Sequence, residues 1–185
     1  MHSGNRLFHC GSVHAEWSRD SLVLFFVNLA SRAVKIAGVT THPDGLWMMQ
    51  IARNLTDPEE TFLQGKRFLI MDRDTKYTEG FRGLLAREGL KVIRLPPRSL
   101  NLNAFAERFV RTIKEERLNR MIFFGRSSLE RALDQYLVHY HTERNHQGVG
   151  NLLLRSSTGL PRRSGPVRRR ERLGGMLSFY YREAA

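Results

Sequence analysis

Two carboxylates in this 185-residue chain stand where a cation could use them. Asp72 ends the apolar run Phe68-Leu69-Ile70-Met71, and Glu107 falls near the start of a helix that opens at about Ala104, with 34 residues between the two acids. A short apolar run bounded by polar residues reads as a buried strand. An acid at the tip of such a strand and another at a helix start can converge on one divalent ion. Hard cations such as Mg²⁺ take oxygen ligands from one or two carboxylates and fill their shell with water and phosphate oxygens. Each acid also has a plainer use. Asp is common in turns at strand ends, and the helix dipole favours Glu in a first turn. Asp74 reads as turn chemistry.

The elements that must hold these acids can be read from the pattern around them. Leu22 to Leu29 is apolar almost throughout, as a central strand covered on both faces would be. Ala33 to Thr40 alternates in part and makes a hairpin with it. A helix follows His42-Pro43-Asp44-Gly45, with Asp44 as N-cap. Trp47, Met48, Ile51 and Leu55 form its sheet-facing stripe. After Phe68–Met71 come a helix over Thr78 to Glu88, a strand over Lys91 to Leu95 and a loop, Pro96 to Asn103. In the helix from Ala104, Phe105, Phe109 and Ile113 recur at steps of four as a core stripe, while Glu107, Arg111 and Lys114 lie on another face. Ser127 and Glu130 open the next helix as a capping box, with Leu129, Ala132, Leu133, Tyr136, Leu137 and Tyr140 buried. A strand hairpin followed by alternating helix and strand implies an α/β sheet flanked by helices.

The segments MDRDTKYT and NAFAERFVRTIKEE resemble the catalytic core of the DDE transposases and retroviral-type integrases. LFFVNLASRAVKIAGVT is similar to that family's second and third strands, and YHTERNHQGVGN to the motif after its last core helix. RRERLGGMLSFYYREAA resembles the end of one subgroup of bacterial insertion-sequence transposases. The resemblance implies a ribonuclease-H-like mixed sheet and metal-dependent DNA strand transfer, as in DNA integration and transposition. In such chemistry two Mg²⁺ or Mn²⁺ ions, roughly 3.5–4 Å apart, stabilise the attacking and leaving oxygens. By resemblance Asp72 and Glu107 are the second and third catalytic, metal-binding acids. Arg111 and Lys114 are DNA contacts, joined by Arg98, Asn101 and Asn103 in the preceding loop. Arg144 and His146 would bond the end of the last helix.

The family sets a first acid on the strand before Leu22. Between residues 1 and 43 the only acids are Glu16 and Asp20. Aligned through Trp17, the catalytic position lands near Cys10, so no residue supplies the first catalytic acid. The expectation is a degenerate first strand, N-terminally truncated or altered, with a weak strand at Val13 to Trp17.

Composition agrees with a polyanion partner. The formal charge is +12 and the pI about 10.8, and a domain this basic usually meets nucleic acid. Cys10 is the lone cysteine, so no internal disulfide forms and a reducing cytoplasm is expected. No apolar run reaches the length of a membrane span. Residues 155–185 hold eight Arg and two Glu and read as a basic flexible tail, with a short helix or docking segment at Met176 to Tyr181. The expected organisation is a first-strand remnant over 1–20, an integrase-type core over 21–150 and the tail over 151–185. The expected function is a DNA-binding core impaired in strand transfer, working alone or as a homo-oligomer. The rival readings are a non-catalytic DNA-binding module and a ribonuclease-H-like nuclease. Weak Mg²⁺ or Mn²⁺ binding at Asp72 and Glu107 separates the first rival, and joined products separate the second.

Overall fold

A computed structural model describes residues 7–15, 21–96, 104–116, 120–155 and 165–182, the first of these by backbone alone. Packing divides the chain into two compact units, Met1–Arg126 and Ser127–Ala185. The first is built on a five-stranded sheet. Its strands are β1 (Leu7–Ala15), β2 (Ser21–Asn28), β3 (Val34–Thr40), β4 (Phe68–Met71) and β5 (Lys91–Arg94), in the order β3-β2-β1-β4-β5. β1–β2 and β2–β3 are antiparallel, and β1–β4 and β4–β5 are parallel. Parallel neighbours need crossover connections. Helix α1 (Gly45–Thr56) precedes β4, and α2 (Glu79–Arg87) joins β4 to β5.

β2 shows why an unbroken apolar run belongs in the middle of a sheet. Its residues 21–27 are all buried. Leu22, Leu24 and Phe26 share one core with Met48, Ile51, Ala52 and Leu55 of α1, Phe81 and Leu85 of α2, and Leu69 and Met71 of β4. Side chains alternate across a strand, so Val23, Phe25 and Val27 belong to the other face. There Phe25 meets Phe109 of α3 (Ala104–Glu116), ring centroids 4.9 Å apart. The sheet is thus a middle layer between α1 and α2 on one side and α3 on the other.

The local signals work as expected at both early helices. Asp44 accepts from the Trp47 N–H at 2.8 Å and caps α1. Thr78 does the same for α2 through the Phe81 N–H. At Gly38 a β-carbon would lie 2.9 Å from the Trp47 ring and 3.0 Å from Ile51 Cδ1, so α1 rests directly on the β3 backbone.

Three expectations are corrected. The first strand is a full nine residues, Leu7–Ala15, rather than a weak strand at Val13 to Trp17. It pairs along both edges, and tertiary pairing overrides a poor local pattern. On α3 the buried stripe is Ala106, Phe109 and Ile113, and Phe105 is 37% exposed. Its ring lies 3.5 Å below the Arg32 guanidinium, a cation–π contact rather than a core position. The third correction concerns the second unit. Within the expected flexible tail, β6 (Val167–Arg172) and β7 (Leu177–Arg182) form an antiparallel hairpin, so of the two expectations for Met176 to Tyr181 the short helix is replaced by strand, while Leu177 is buried as in a docked segment. The alternation Leu177, Phe179, Tyr181 is a strand pattern that the surrounding arginines obscured.

The second unit also contains α4 (Arg126–Thr142), which buries Leu129, Ala132, Leu133, Tyr136 and Tyr140; Leu137, expected among them, is half-buried. Glu143, at the end of this helix, accepts from Arg172 Nε at 2.9 Å and Nη2 at 2.6 Å, and its side chain is 2% exposed. His139 Nδ1 lies 3.1 Å from the same carboxylate and must carry the proton, because an ionised carboxylate only accepts. Two-stranded hairpins are marginal by themselves, and this charge-assisted contact ties β6 to α4. His146 Nε2 donates to the Tyr140 carbonyl at 2.6 Å, satisfying the last turn of α4 as expected. Arg144 lies 6.0 Å from the Tyr140 ring.

Candidate active site

Strand alternation fixes the side of the sheet on which Asp72 falls. Leu69 and Met71 belong to the core with α1 and α2. One step past β4, Asp72 follows the phase of Ile70 and falls on the α3 side. The β1–β4 register pairs Cys10 with Met71. Continued by one residue, it puts Gly11 level with Asp72. On its other edge Gly11 pairs with Phe25, whose ring meets Phe109 of α3. The Phe25–Gly11 pair, extended one step past the end of β4, leads to Asp72. At ordinary strand spacing the ends of this row are about 10 Å apart.

Glu107 lies two residues before Phe109 on the helix covering that row. It is exposed, while its neighbour Ala106 is buried. Arg111 is exposed one turn further on, and Lys114 is half-buried. These three form the polar side of α3, adjoining its buried stripe.

Asp72 is held by a local turn. Its Oδ1 accepts from the Asp74 N–H at 3.0 Å. Asp74 in turn accepts from the Lys76 N–H at 3.0 Å and pairs with the buried Lys76 ammonium. Asp74 is thus engaged in the turn, as its spacing suggested. The carboxylate of Asp72 has about four lone-pair directions, and one backbone bond leaves capacity for a cation.

Along this row the described strands supply no acid besides Asp72. β1 reads LFHCGSVHA, with no Asp or Glu at any position, and the residue that the continued register sets level with Asp72 is a glycine. Among the described residues no cluster of three or more His, Cys, Asp or Glu is arranged to hold a metal ion. Arg98, Asn101 and Asn103, expected to approach DNA, lie outside the described residues, as do Glu16 and Asp20.

Residues 88–153 match the family described as the integrase core domain. That stretch includes Glu107 and α4 but neither β1 nor Asp72. The fold resembles the catalytic core domain of integrase from BIV with a TM-score of 0.58 at 17% identity, covering 78% of this chain and 89% of that one. It also resembles the integrase catalytic core domain of HTLV-2, solved in complex with magnesium in a trimeric form. There the TM-score is 0.59 at 12% identity, over 80% of this chain and 92% of the other. The fold is that of these integrase catalytic cores. No curated protein sequence matches it.

The sheet has the ribonuclease-H-like architecture expected from the sequence, with three strands in a meander and two more added in parallel. Sequence reasoning named Asp72 and Glu107. It missed the particular place of Gly11, because the position level with Asp72 depends on the β1–β4 register, which a single strand pattern does not contain. Among the described residues no helix is long and apolar enough to cross a membrane.

Proposed function

We propose that this chain is a DNA-binding integrase or transposase core in which strand transfer is impaired by the missing first acid. The observation that carries this reading is the composition of β1, acid-free along its whole length beside an otherwise intact Asp72 and Glu107. In-line phosphoryl transfer by two metal ions needs carboxylates that bridge both ions. Two acids can hold one Mg²⁺ or Mn²⁺ in part, which supports weak metal binding and not an efficient reaction. The protein's own groups still offer what DNA association requires. Arg111 and Lys114 follow Glu107 on α3, Arg98 and Asn103 precede that helix in sequence, and the formal charge is +12. Cations placed against phosphates release counterions and produce salt-dependent affinity. Assembly of more than one copy on DNA belongs to the same reading.

The test is a nicking and joining assay on labelled duplex DNA with Mg²⁺ and Mn²⁺. Duplex binding without metal-dependent products is expected. Nicking or joining that disappears in Asp72→Asn would refute the impairment. Absence of duplex binding at low salt would remove the DNA assignment itself.

A further inference from the structure

The β6–β7 hairpin has a face whose chemistry the integrase reading does not use. Register pairs Arg168 with Tyr181, Arg170 with Phe179 and Arg172 with Leu177. Directly opposed residues share a face, so three arginines stand against two aromatic rings and one leucine. The two ends of this face differ. At one end Arg172 is bound to Glu143 and Leu177 is buried. Towards the other end Phe179 and Tyr181 are only half-buried, with rings parallel to within 11° and centroids 6.0 Å apart. Arg170 lies 5.0 Å from the Tyr181 ring centre; its side chain is 50% exposed and also reaches Glu143, with Nη1 3.5 Å from Oε1, more loosely than Arg172 does. The opposite face is engaged differently. There Arg169 pairs with Glu171 at 2.9 Å and donates to Ser178.

We propose that the Arg168–Arg170–Phe179–Tyr181 face of this hairpin binds single-stranded DNA, stacking unpaired bases on the rings and holding their phosphates with the arginines. Arginines alone would serve a duplex, where phosphates are exposed and base faces are hidden. Aromatic rings interleaved with them add a partner that only unpaired bases can use. Positions two apart on a strand are about 6.6 Å apart, a spacing that lets neighbouring rings meet successive bases of an extended strand, as on other sheet platforms. The plainer alternative is that the cation–π and ring contacts only stabilise a small sheet. The proposal rests on the DNA-binding reading for the choice of DNA over RNA, and is independent of catalysis.

The experiment uses the full chain. Fluorescence anisotropy would follow a labelled oligo-dT strand and a duplex of equal length, for the wild type, for Phe179→Leu with Tyr181→Leu, and for Arg168→Ala with Arg170→Ala. The leucine pair keeps apolar bulk and removes the π faces. Its affinity for oligo-dT should fall about tenfold or more, with duplex affinity little changed. The arginine pair should lower the salt slope by about 0.7 for each phosphate no longer neutralised. Circular dichroism checks that the variants fold. If the leucine pair does not fold, photo-crosslinking of a bromodeoxyuridine strand to the wild-type chain decides. The crosslink is expected in the tryptic peptide 173–182. Unchanged oligo-dT affinity in a folded leucine pair, equal losses for strand and duplex, or crosslinks confined to other peptides would each overturn the proposal. Duplex binding that depends on Arg111 while oligo-dT affinity is unchanged in both folded hairpin variants would spare the function proposed above and sink this one.

Discussion

Phe25 stands between the two halves of the candidate site: its ring is 4.9 Å from that of Phe109, and its backbone is the register partner of Gly11. The helix bearing Glu107 is therefore anchored to the row in which Asp72 falls. A carboxylate at position 11 would complete that row.

Gly11→Asp is expected to raise Mn²⁺ affinity and to produce metal-dependent nicking where the wild type shows none. Isothermal calorimetry and the nicking assay read the two effects separately. Cys10→Asp, one register step away and level with buried Met71, should do less. If Gly11→Asp binds Mn²⁺ no better than the wild type, the register argument fails.

Arg111→Ala is expected to weaken duplex binding about equally for all sequences, and to reduce the salt slope by about 0.9 if the arginine neutralises one phosphate. Lys114→Ala should behave alike with a smaller effect, since Lys114 is half-buried. Filter binding at several salt concentrations measures both. A slope unchanged in the double variant would take α3 out of the DNA surface.

Acid should destabilise the second unit. Burial pushes His141 down from its ordinary 6.5 to about 4, and the charges of Arg155 and His146 push the same way. The unfolded chain therefore takes up this proton first, and stability falls as pH drops from about 6.5 to about 4. Burial by itself would raise Glu143, but hydrogen bonds from Arg172 and His139 hold it below the ordinary 4.5. Its contribution is complete above that ordinary value and is lost as pH falls through the depressed one. Urea unfolding at pH 7, 5.5 and 4 should show a declining midpoint. His141→Phe should flatten the upper part of that decline.

Glu143→Ala should release the β6–β7 hairpin. It leaves Arg172 without its main partner, at a cost of about 2 kcal/mol once partial exposure of the arginine is allowed for. Hydrogen exchange over 167–182 is expected to accelerate while 21–96 is unaffected. Equal protection in variant and wild type would mean that the hairpin stands without this ion pair.

Gly38→Val tests the seat of α1. A β-carbon there already meets Trp47 and Ile51, and overpacking of this kind costs roughly 1–3 kcal/mol. A denaturation midpoint equal to the wild type would show that Trp47 can move aside.

Much of the sheet was legible because its signals are local. The unbroken apolar run of β2, the Asp44 cap and the stop at Asp72 each follow from a few adjacent residues. Phe105 was misread because a period of four fits a helix face almost as well as the true stripe of Ala106, Phe109 and Ile113, and only Arg32, far away in sequence, decides between them. The β6–β7 hairpin escaped because Pro166 and the glycines read as breakers, whereas Gly174 and Gly175 adopt the positive φ its turn demands. Leu173 shares that conformation at φ 51°, held by its N–H donation to Gln135 and by its own burial.

β5 is an outer strand of the sheet, and among the described residues no strand pairs with its outer side. Such an edge invites strands from other molecules. Lys91 and Arg94 stand at its two ends, both exposed. Like charges on every copy make the approach of a second identical edge unfavourable, so this chain should resist fibrillar self-association most strongly in dilute salt.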